Sequence, residues 1–262
     1  MRVLLHGCNG KMGQVMTRVL DSEPDMEIVC GVDIMPSQTT PHYPVYESLE
    51  HVKESADIVI DFSHHTCLES LLLFGTTRTV PLVICTTGFD ARQRQMIQEA
   101  SKTVPILHSA NMSLGINLLA SLVSWAAPVL WDTFDIEIVE KHHNQKVDSP
   151  SGTALLIADA IDESLRASTT LKAASSPNYT YGRYSKTQKR QKGEIGIHAI
   201  RGGGIVGEHN VIFAGQGEVL EINHMALSRD VFAHGAVKGA RFIICQKPGL
   251  YSMKDVVKAS VF

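Results

Sequence analysis

The sequence predicts an α/β protein in two parts: a parallel sheet wrapped by helices on both faces, and a second α+β part on a mixed or antiparallel sheet. Three observations predict it. Over about the first 110 residues, apolar β-prone runs alternate with helical stretches, the order that βαβ units impose. A glycine-rich string joins the first of these runs to the first helical stretch. Farther along, the alternation gives way to strand-like runs separated by glycine turns, as expected of strands that follow one another directly.

Taken in order, the β-prone runs are Val3–Leu5, Ile28–Cys30, Ile58–Ile60, Leu82–Ile84 and Val104–Leu107. Helical stretches between them cover Lys11–Asp21, His64–Phe74 and Asp90–Ser101, the last with Asp90 as its N-cap. Leu114–Leu130 reads as a buried helix. Asn117, two serines and Pro128 interrupt it, whereas a bilayer span needs roughly 18 uninterrupted apolar residues. Phe134–Val139 alternates as a half-buried strand does, Lys141–Ser151 forms a polar loop, and a short helix follows from about Thr153. Residues 167–192 are rich in Ser, Tyr and Lys and read as a surface loop. Strand-like runs Ile195–Ile200, Glu208–Ala214 and Glu218–Ile222 come next, and Arg229–Cys245 reads as a helix returning to the first part. The expected domains are therefore 1–113 with 223–262, and 114–222.

Composition narrows the function. The 262 residues are 44% hydrophobic and 19% charged, a balance that supports a packed core. A formal net charge of −3 gives no reason to expect a nucleic-acid or membrane partner. Cys8, Cys30, Cys67, Cys85 and Cys245 are odd in number and form no CxxC pair, so they read as reduced, buried thiols of a cytoplasmic protein. No metal site is expected, since HExxH is absent and neighbouring histidines on an extended strand point apart.

Gly7-Cys8-Asn9-Gly10-Lys11-Met12-Gly13 sits between a strand and a helix. Glycines there let the backbone approach a pyrophosphate, whose charge meets the free amides of a helix start. The spacing is GxxGxxG, and Asn9, which tolerates positive φ, occupies the place of the usual middle glycine. Asp33 ends the second strand about twenty residues on, placed to accept from adenosine ribose hydroxyls. Ile34-Met35-Pro36-Ser37-Gln38 supplies no cation for a 2′-phosphate, so NADH is expected to serve at least as well as NADPH. The first part is thus a Rossmann-like dinucleotide-binding domain. His64-His65 reads as a helix start or as cofactor-side lining.

The densest polar cluster runs from Glu140 to Thr153. His142 and His143 can exchange protons near neutral pH, Lys146 offers a fixed cation, and Ser151-Gly152-Thr153 opens a helix whose amides suit a carboxylate. That set fits a small carboxylated substrate. Arg201 could reach a substrate carboxylate or serve as a surface turn residue.

These residues together resemble the 4-hydroxy-tetrahydrodipicolinate reductase family. The run E-x-H-H-x-x-K-x-D-x-P-S-G-T-A from Glu140 to Ala154 carries most of the likeness. Gly7–Gly13, Asp61–Ser63, Thr86–Phe89, Ser109–Ser113, Ile205–His209 and Glu221–Ala236 add to it in the same order. The resemblance implies that His142 is the general acid–base residue and Lys146 a second proton-donating or substrate-orienting group. It implies that His143 and the Gly152-Thr153 backbone contact substrate. Cofactor contacts would fall on Gly7, Cys8, Asn9, Gly10, Lys11, Met12, Asp33, Cys85, Thr86, Thr87, Gly88, Ser109, Ala110, Asn111 and Met112. Cys85 stands where the family usually has glycine, and Met112 where it often has phenylalanine. The implied reaction reduces a cyclic dicarboxylate with NADH or NADPH after loss of water, in lysine and diaminopimelate synthesis. The implied assembly is a homotetramer through the second domain. Because the glycine turn and the polar loop fall in different domains, closure between them is expected to join hydride and acceptor. Another two-domain dehydrogenase, such as an aspartate dehydrogenase, would not need the His-His-x-x-Lys loop, nor would a redox-sensing nucleotide-binding protein.

Overall fold

The structure, a computed structural model, describes residues 1–35, 41–169 and 177–260. The chain divides into two units, Met1–Leu114 with Arg229–Phe262, and Gly115–Ser228. The first contains β1 (Arg2–His6), α1 (Lys11–Asp21), β2 (Glu27–Val32), β3 (Val45–Tyr46), β4 (Ile58–Asp61), α2 (Leu68–Arg78), β5 (Leu82–Ile84), α3 (Ala91–Ala100) and β6 (Pro105–His108). The second contains α4 (Leu114–Leu130), β7 (Asp135–His142), α5 (Gly152–Ala167), β8 (Asn178–Tyr181), β9 (Glu194–Arg201), β10 (Gly207–Ala214) and β11 (Val219–Ala226). The chain then completes the first unit with α6 (Asp230–Ile243), β12 (Gly249–Tyr251) and α7 (Met253–Ala259).

Seven parallel strands form the first sheet, in the order β12-β6-β5-β4-β1-β2-β3. Its strands are apolar between their ends because both faces are covered, and successive side chains divide between two cores. Val3, Leu5, Ile58, Ile60, Val83 and Leu107 pack with Met16, Val19 and Leu20 of α1 and with α6 and α7. Leu4, Val59, Leu82, Ile84 and Ile106 pack on the other face with Leu68, Leu71, Leu72 and Phe74 of α2 and Ile97 of α3. The strand order reverses at β1, which lies between β2 and β4, and in open parallel sheets ligands bind at the carboxyl ends of the strands at that point.

Local chemistry sets several limits. Asp90 accepts from Gln93 N at 2.7 Å while the Gln93 side chain accepts from Asp90 N at 3.1 Å, a capping box that starts α3. The helix expected over His64–Phe74 begins instead with a 3₁₀ turn at His65–Cys67, and α2 then runs on to Arg78. Gly75 does not end it, because that glycine admits Leu82: a Cβ there would lie 2.8 Å from Leu82 Cδ2. Thr79, left-handed at φ 55°, closes the helix.

In the second unit the sheet order is β11-β10-β7-β9-β8, antiparallel from β11 to β7 and parallel from β7 to β8. Ile136, Ile138, Ile195, Ile197, Val211 and Phe213 form its inner face and pack against Leu119 and Val123 of α4 and Ile157, Ile161 and Leu165 of α5. β8 lies within the segment that the sequence suggests is a loop, of which residues 170–176 fall outside the described residues. A boundary at 222/223 would cut β11, whose pairing continues to Gly207–Ala226, and the units part at Ser228. Among the described residues no helix is long and apolar enough to cross a membrane.

Candidate active site

Each unit gathers polar groups at one place. In the first, β1 ends at His6 and the chain turns through Gly7 at φ 77°. A Cβ on Gly7 would lie 2.6 Å from Phe62 O, and one on Gly13 would lie 2.1 Å from Gly7 O, so neither position admits a side chain. Gly7 N donates to Val32 O at 2.8 Å and Gly10 N to Gly7 O at 3.2 Å, which brings the turn tight onto α1. Asn9 does not need a positive φ; among the described non-glycine residues only Thr79 has one. Its backbone N instead donates to Asp33 Oδ2 at 2.8 Å, while Asp33 Oδ1 accepts from Met35 N at 2.8 Å. Each carboxylate oxygen keeps a lone pair for a further donor.

These residues border a cleft of about 430 Å³ lined by His6, Gly7, Gly10, Asp33, Ser63 and Cys67, among others. His64 lines it too, and its ring accepts from Thr66 N at 3.4 Å to start the 3₁₀ turn. Lys11 is exposed at the first position of α1, and Met12 follows it half-buried. Ile34 and Met35 continue the wall beyond Asp33 without a cation, while Pro36, Ser37 and Gln38 lie outside the described residues.

The other expected cofactor segments follow β5 and β6 on the same edge of the sheet. Thr87 and Gly88 are exposed, Gly88 at φ 83°, and Ala110 is exposed beside half-buried Asn111. Ser109 Oγ donates to Asn111 O at 3.0 Å and Asn111 Oδ1 accepts from Ser113 N at 2.8 Å, which folds that segment on itself. Cys85 and Met112 turn into the core instead, 9% and 3% exposed. Burial pushes the Cys85 thiol well above its ordinary range.

Sequence reasoning missed a polar group behind the cleft. His6 and Asp61 are 5% and 1% exposed, with His6 Nδ1 2.9 Å from Asp61 Oδ1. Thr86 Oγ1 donates to Asp61 Oδ2 at 2.7 Å, and Ser63 N to Asp61 Oδ1 at 3.2 Å. Burial pulls the His6 imidazole down, but Asp61 and Cys67 together raise it to about 9. A polar residue at the end of each of two adjacent apolar strands was the available signal.

In the second unit the period of two along β7 continues the inner face from Ile136 and Ile138 to Glu140 and His142. The register sets Glu140 opposite His209 of β10 and His142 opposite Arg201 of β9. Glu140, fully buried, accepts four bonds: from His142 Nδ1 at 2.6 Å, Arg201 Nη1 and Nη2 at 2.7 Å each, and Ser151 N at 3.0 Å. Burial pushes its carboxyl up, and those donors outweigh it and hold the group below its ordinary value. Arg201 therefore neither reaches outward as a substrate clamp nor sits as a surface turn residue: its fork is engaged by Glu140, and Nη2 also donates to Asp148 O at 2.7 Å.

Ser151 caps α5 by accepting from Ala154 N at 3.1 Å, and its hydroxyl lies 2.9 Å from His209 Nε2. Burial, then the charge of His142, pushes His209 down to about 3, so a neutral ring stands 5.2 Å from that of His142. His142 Nε2 faces Gly207, where a Cβ would lie 3.2 Å away. Lys146 Nζ pairs with both Asp148 oxygens, at 2.7 and 2.8 Å. His143 directly follows β7, and its Nδ1 is buried without a hydrogen-bond partner among the described residues. Gly152 is exposed at the head of α5 with open space where a Cβ would be, and half-buried Thr153 follows. Glu140 and Ser151 stood in the sequence cluster, but only strand register shows that Glu140, not a histidine, is its centre.

A parallel sheet reversing at β1, a glycine turn and a strand-end carboxylate define a Rossmann-type dinucleotide-binding protein with a second, acid–base-bearing unit. Among such proteins, the chain belongs to the dihydrodipicolinate reductase family: residues 1–112 match the family's N-terminus and residues 115–257 its C-terminus. It is 55% identical over 258 residues to the 4-hydroxy-tetrahydrodipicolinate reductase of Caldanaerobacter subterraneus subsp. tengcongensis, covering 98% of each chain. It is 49% identical over 257 residues to that of Clostridium botulinum, again covering 98% of each. The fold matches a dipicolinate-bound dihydrodipicolinate reductase from Paenisporosarcina sp. TG-14 with a TM-score of 0.77 and 25% identity, over 97% of this chain and 98% of that one. An aspartate dehydrogenase from Thermotoga maritima, at 12% identity and a TM-score of 0.52 over 92% and 96% of the two chains, shares the fold alone.

Proposed function

We propose that the protein reduces 4-hydroxy-tetrahydrodipicolinate to tetrahydrodipicolinate with loss of water, in lysine and diaminopimelate synthesis. The observation that carries this reading is the Glu140–His142–Arg201 cluster, a charged acid–base device mounted beside an open helix start. When bound, a reduced nicotinamide supplies hydride to the conjugated imine left by loss of water. The chain's own residues fit that dinucleotide: Gly7 and Gly13 leave the backbone bare at the turn, and Asp33 borders the same cleft. Gly10, Lys11 and Met12 bring the first amides of α1 to the pyrophosphate. Cys8 and Asn9 shape the turn, and Thr86-Thr87-Gly88 and Ser109–Asn111 border the nicotinamide side. With Cys85 and Met112 in the core, their part is packing rather than contact.

Hydride addition leaves negative charge along the conjugated system, and His142 delivers the proton that meets it. Glu140 holds Nδ1 as a donor and leaves Nε2 to exchange the proton, while neutral His209 adds no competing charge. Lys146 exchanges Asp148 for a substrate carboxylate, and the Gly152-Thr153 amides at the start of α5 take another. His143, directly after β7, contacts the substrate.

NADH serves at least as well as NADPH, because Asp33 and Glu47 give this cleft two carboxylates and a 2′-phosphate would meet their charge. The protein assembles as a homotetramer through the sheet of the second unit, where Val219 and Met225 are 59% and 54% exposed. Light scattering at micromolar concentration tests the assembly, and a monomer overturns it. The decisive assay follows NADH oxidation on freshly generated substrate. No oxidation above the substrate-free blank overturns the activity, and a kcat/KM about a hundredfold higher with NADPH overturns the cofactor preference.

A further inference from the structure

The proposed chemistry uses neither His6 nor Asp61. The apolar runs of β1 and β4 each end in one of these two ionisable residues, which are direct neighbours in the sheet register. A buried ion pair is a poor source of stability, because desolvation offsets the attraction and apolar residues of similar volume often serve as well. What such a pair can fix is geometry, and here the geometry is that of the cleft. Ser63 and half-exposed Cys67 line it, and Cys67 with exposed Cys245 departs from the burial expected of all five thiols. Asp61 lies behind, 1% exposed.

The Asp61 carboxylate contacts three chain segments, each next to a stretch that the dinucleotide would meet. Oδ1 stands 2.9 Å from Nδ1 of His6, the residue before Gly7, in an ionic contact outside normal hydrogen-bond geometry. The same oxygen accepts from Ser63 N at 3.2 Å. Gly7 packs on that peptide so closely that its Cβ would lie 2.8 Å from Ser63 N. Oδ2 accepts from Thr86 Oγ1 at 2.7 Å, and exposed Thr87 and Gly88 follow directly. Backbone bonds join the same segments: Phe62 N donates to His6 O and Cys85 N to Asp61 O, each at 2.9 Å. Burial works against the His6 imidazolium, and Asp61 with Cys67 raises it to about 9, so His6 is a cation at neutral pH. One carboxylate therefore spans the carboxyl ends of β1, β4 and β5 and sets the spacing of the glycine turn, the Phe62-Ser63 peptide and Thr86–Gly88.

We propose that Asp61 is a positioning residue for the dinucleotide, holding three segments of its site at the required spacing from behind the cleft wall. This rests on reading the cleft as the dinucleotide's. Segments fixed beforehand need not be ordered by the ligand, and affinity gains what that ordering would have cost. Releasing them weakens the dinucleotide and spares the dicarboxylate, whose residues lie in the other unit.

Substitutions in the full-length protein test this. Asp61→Ala removes every contact of the carboxylate. A hydrogen bond to a charged group is worth roughly ten- to a hundredfold in an equilibrium constant, so Kd and KM for NADH should rise at least about tenfold. KM for the dicarboxylate at saturating NADH should stay within about twofold of wild type. Asp61→Asn keeps the size, still accepts from Ser63 N, and can donate to Thr86 Oγ1, whose own proton then turns to Ser63 O, 3.0 Å away. It should return KM for NADH to within about threefold of wild type. A merely structural role would instead lower the melting temperature and the active fraction of Asp61→Ala and leave KM for NADH unchanged. That result overturns the proposal, as does an equal rise in KM for both substrates. Should Asp61→Ala not fold, Thr86→Val and Thr86→Ser decide. The valine drops the hydroxyl and should weaken NADH at least about threefold relative to the serine, which keeps it; equal KM values overturn the proposal. Gly13→Ala separates this failure from that of the underlying reading. Unchanged NADH affinity there overturns the assignment of the cleft and the role of Asp61 with it. Loss of affinity in Gly13→Ala beside wild-type affinity in Asp61→Ala overturns the role of Asp61 alone.

Discussion

Replacing Glu140 by glutamine keeps the side chain's size and removes its charge at the point where four donors converge. A carboxylate accepts all four; an amide has a single acceptor oxygen, and its NH2 group must face donors that cannot accept from it. Removing one partner of a buried ion pair costs about 3–5 kcal/mol. Arg201 is 19% exposed at its side chain and keeps its bonds to Asp148 O and Ile200 O. That lowers the expected cost to about 2–3 kcal/mol and the melting temperature of the second unit by roughly 4–12 °C. Activity should fall further than stability explains, because His142 loses the acceptor that fixes its Nδ1 proton and its orientation. General acid catalysis is worth about 10² to 10⁴, so kcat should drop about a hundredfold, with KM for NADH unchanged because its residues lie in the other unit. Steady-state kinetics with both substrates varied, alongside a thermal melt, measures both effects. A Glu140→Gln protein whose kcat stays within about threefold of wild type refutes the reasoning.

Lys146→Ala should raise KM for the dicarboxylate by about tenfold and lower kcat as well, the loss of one charge-assisted bond; an unchanged KM would remove Lys146 from the site. Gly13→Ala places a Cβ 2.1 Å from Gly7 O and 2.5 Å from Cys8 O, both backbone atoms. It should destabilise the first unit by about 1–3 kcal/mol and abolish dinucleotide binding by titration calorimetry, and wild-type affinity would contradict the assignment of the turn. Stability should decline on both sides of neutrality. His6 rises to about 9, so the folded state holds an extra proton and its contribution, full below about 6.5, is lost as pH climbs to 9. His209 falls to about 3, so the unfolded state takes the extra proton and stability is lost as pH drops from about 6.5 towards 3. Urea midpoints across this range should peak near neutrality, with the alkaline loss confined to the first unit and the acid loss to the second. A flat profile from pH 5 to 9 would show that neither histidine is linked to folding.

Where local chemistry decides, the sequence was legible. The limits of α1 and α4 are those their apolar spacing predicts, and the Asp90 cap gave away α3. Ser252 and Asp255 form a second capping box at α7, a signal of the same local kind. Other elements depend on partners far along the chain. Tyr179 and Tyr181 of β8 lie in a polar segment and become strand by pairing with Ile195 and Ile197. The two-residue β3 exists through its register with Gly31 and Val32. The candidate sites divide in the same way. Gly7, Gly13 and Asp33 announce themselves because spacing along one βαβ unit fixes their geometry. The roles of Glu140 and Arg201 could not be read, since 61 residues separate them and only the parallel pairing of β7 and β9 brings them together.

That His142 rides on a strand rather than in a loop restricts how the chain can change in length. One residue inserted between Ile136 and Glu140 would turn His142 to the opposite face and send a hydrophobic side chain to water in the same event. Two residues would restore the face but slide His142 away from Arg201 and Glu140 from His209. The turn at Gly215–Gly217 carries no such coupling, since it lies outside the paired strands, whereas Gly202 N donates to His142 O at 2.9 Å and ties its own turn to the site. Length variation tolerated by active relatives should therefore gather at the Gly215–Gly217 turn, and the eight residues of β7 should behave as a fixed ruler.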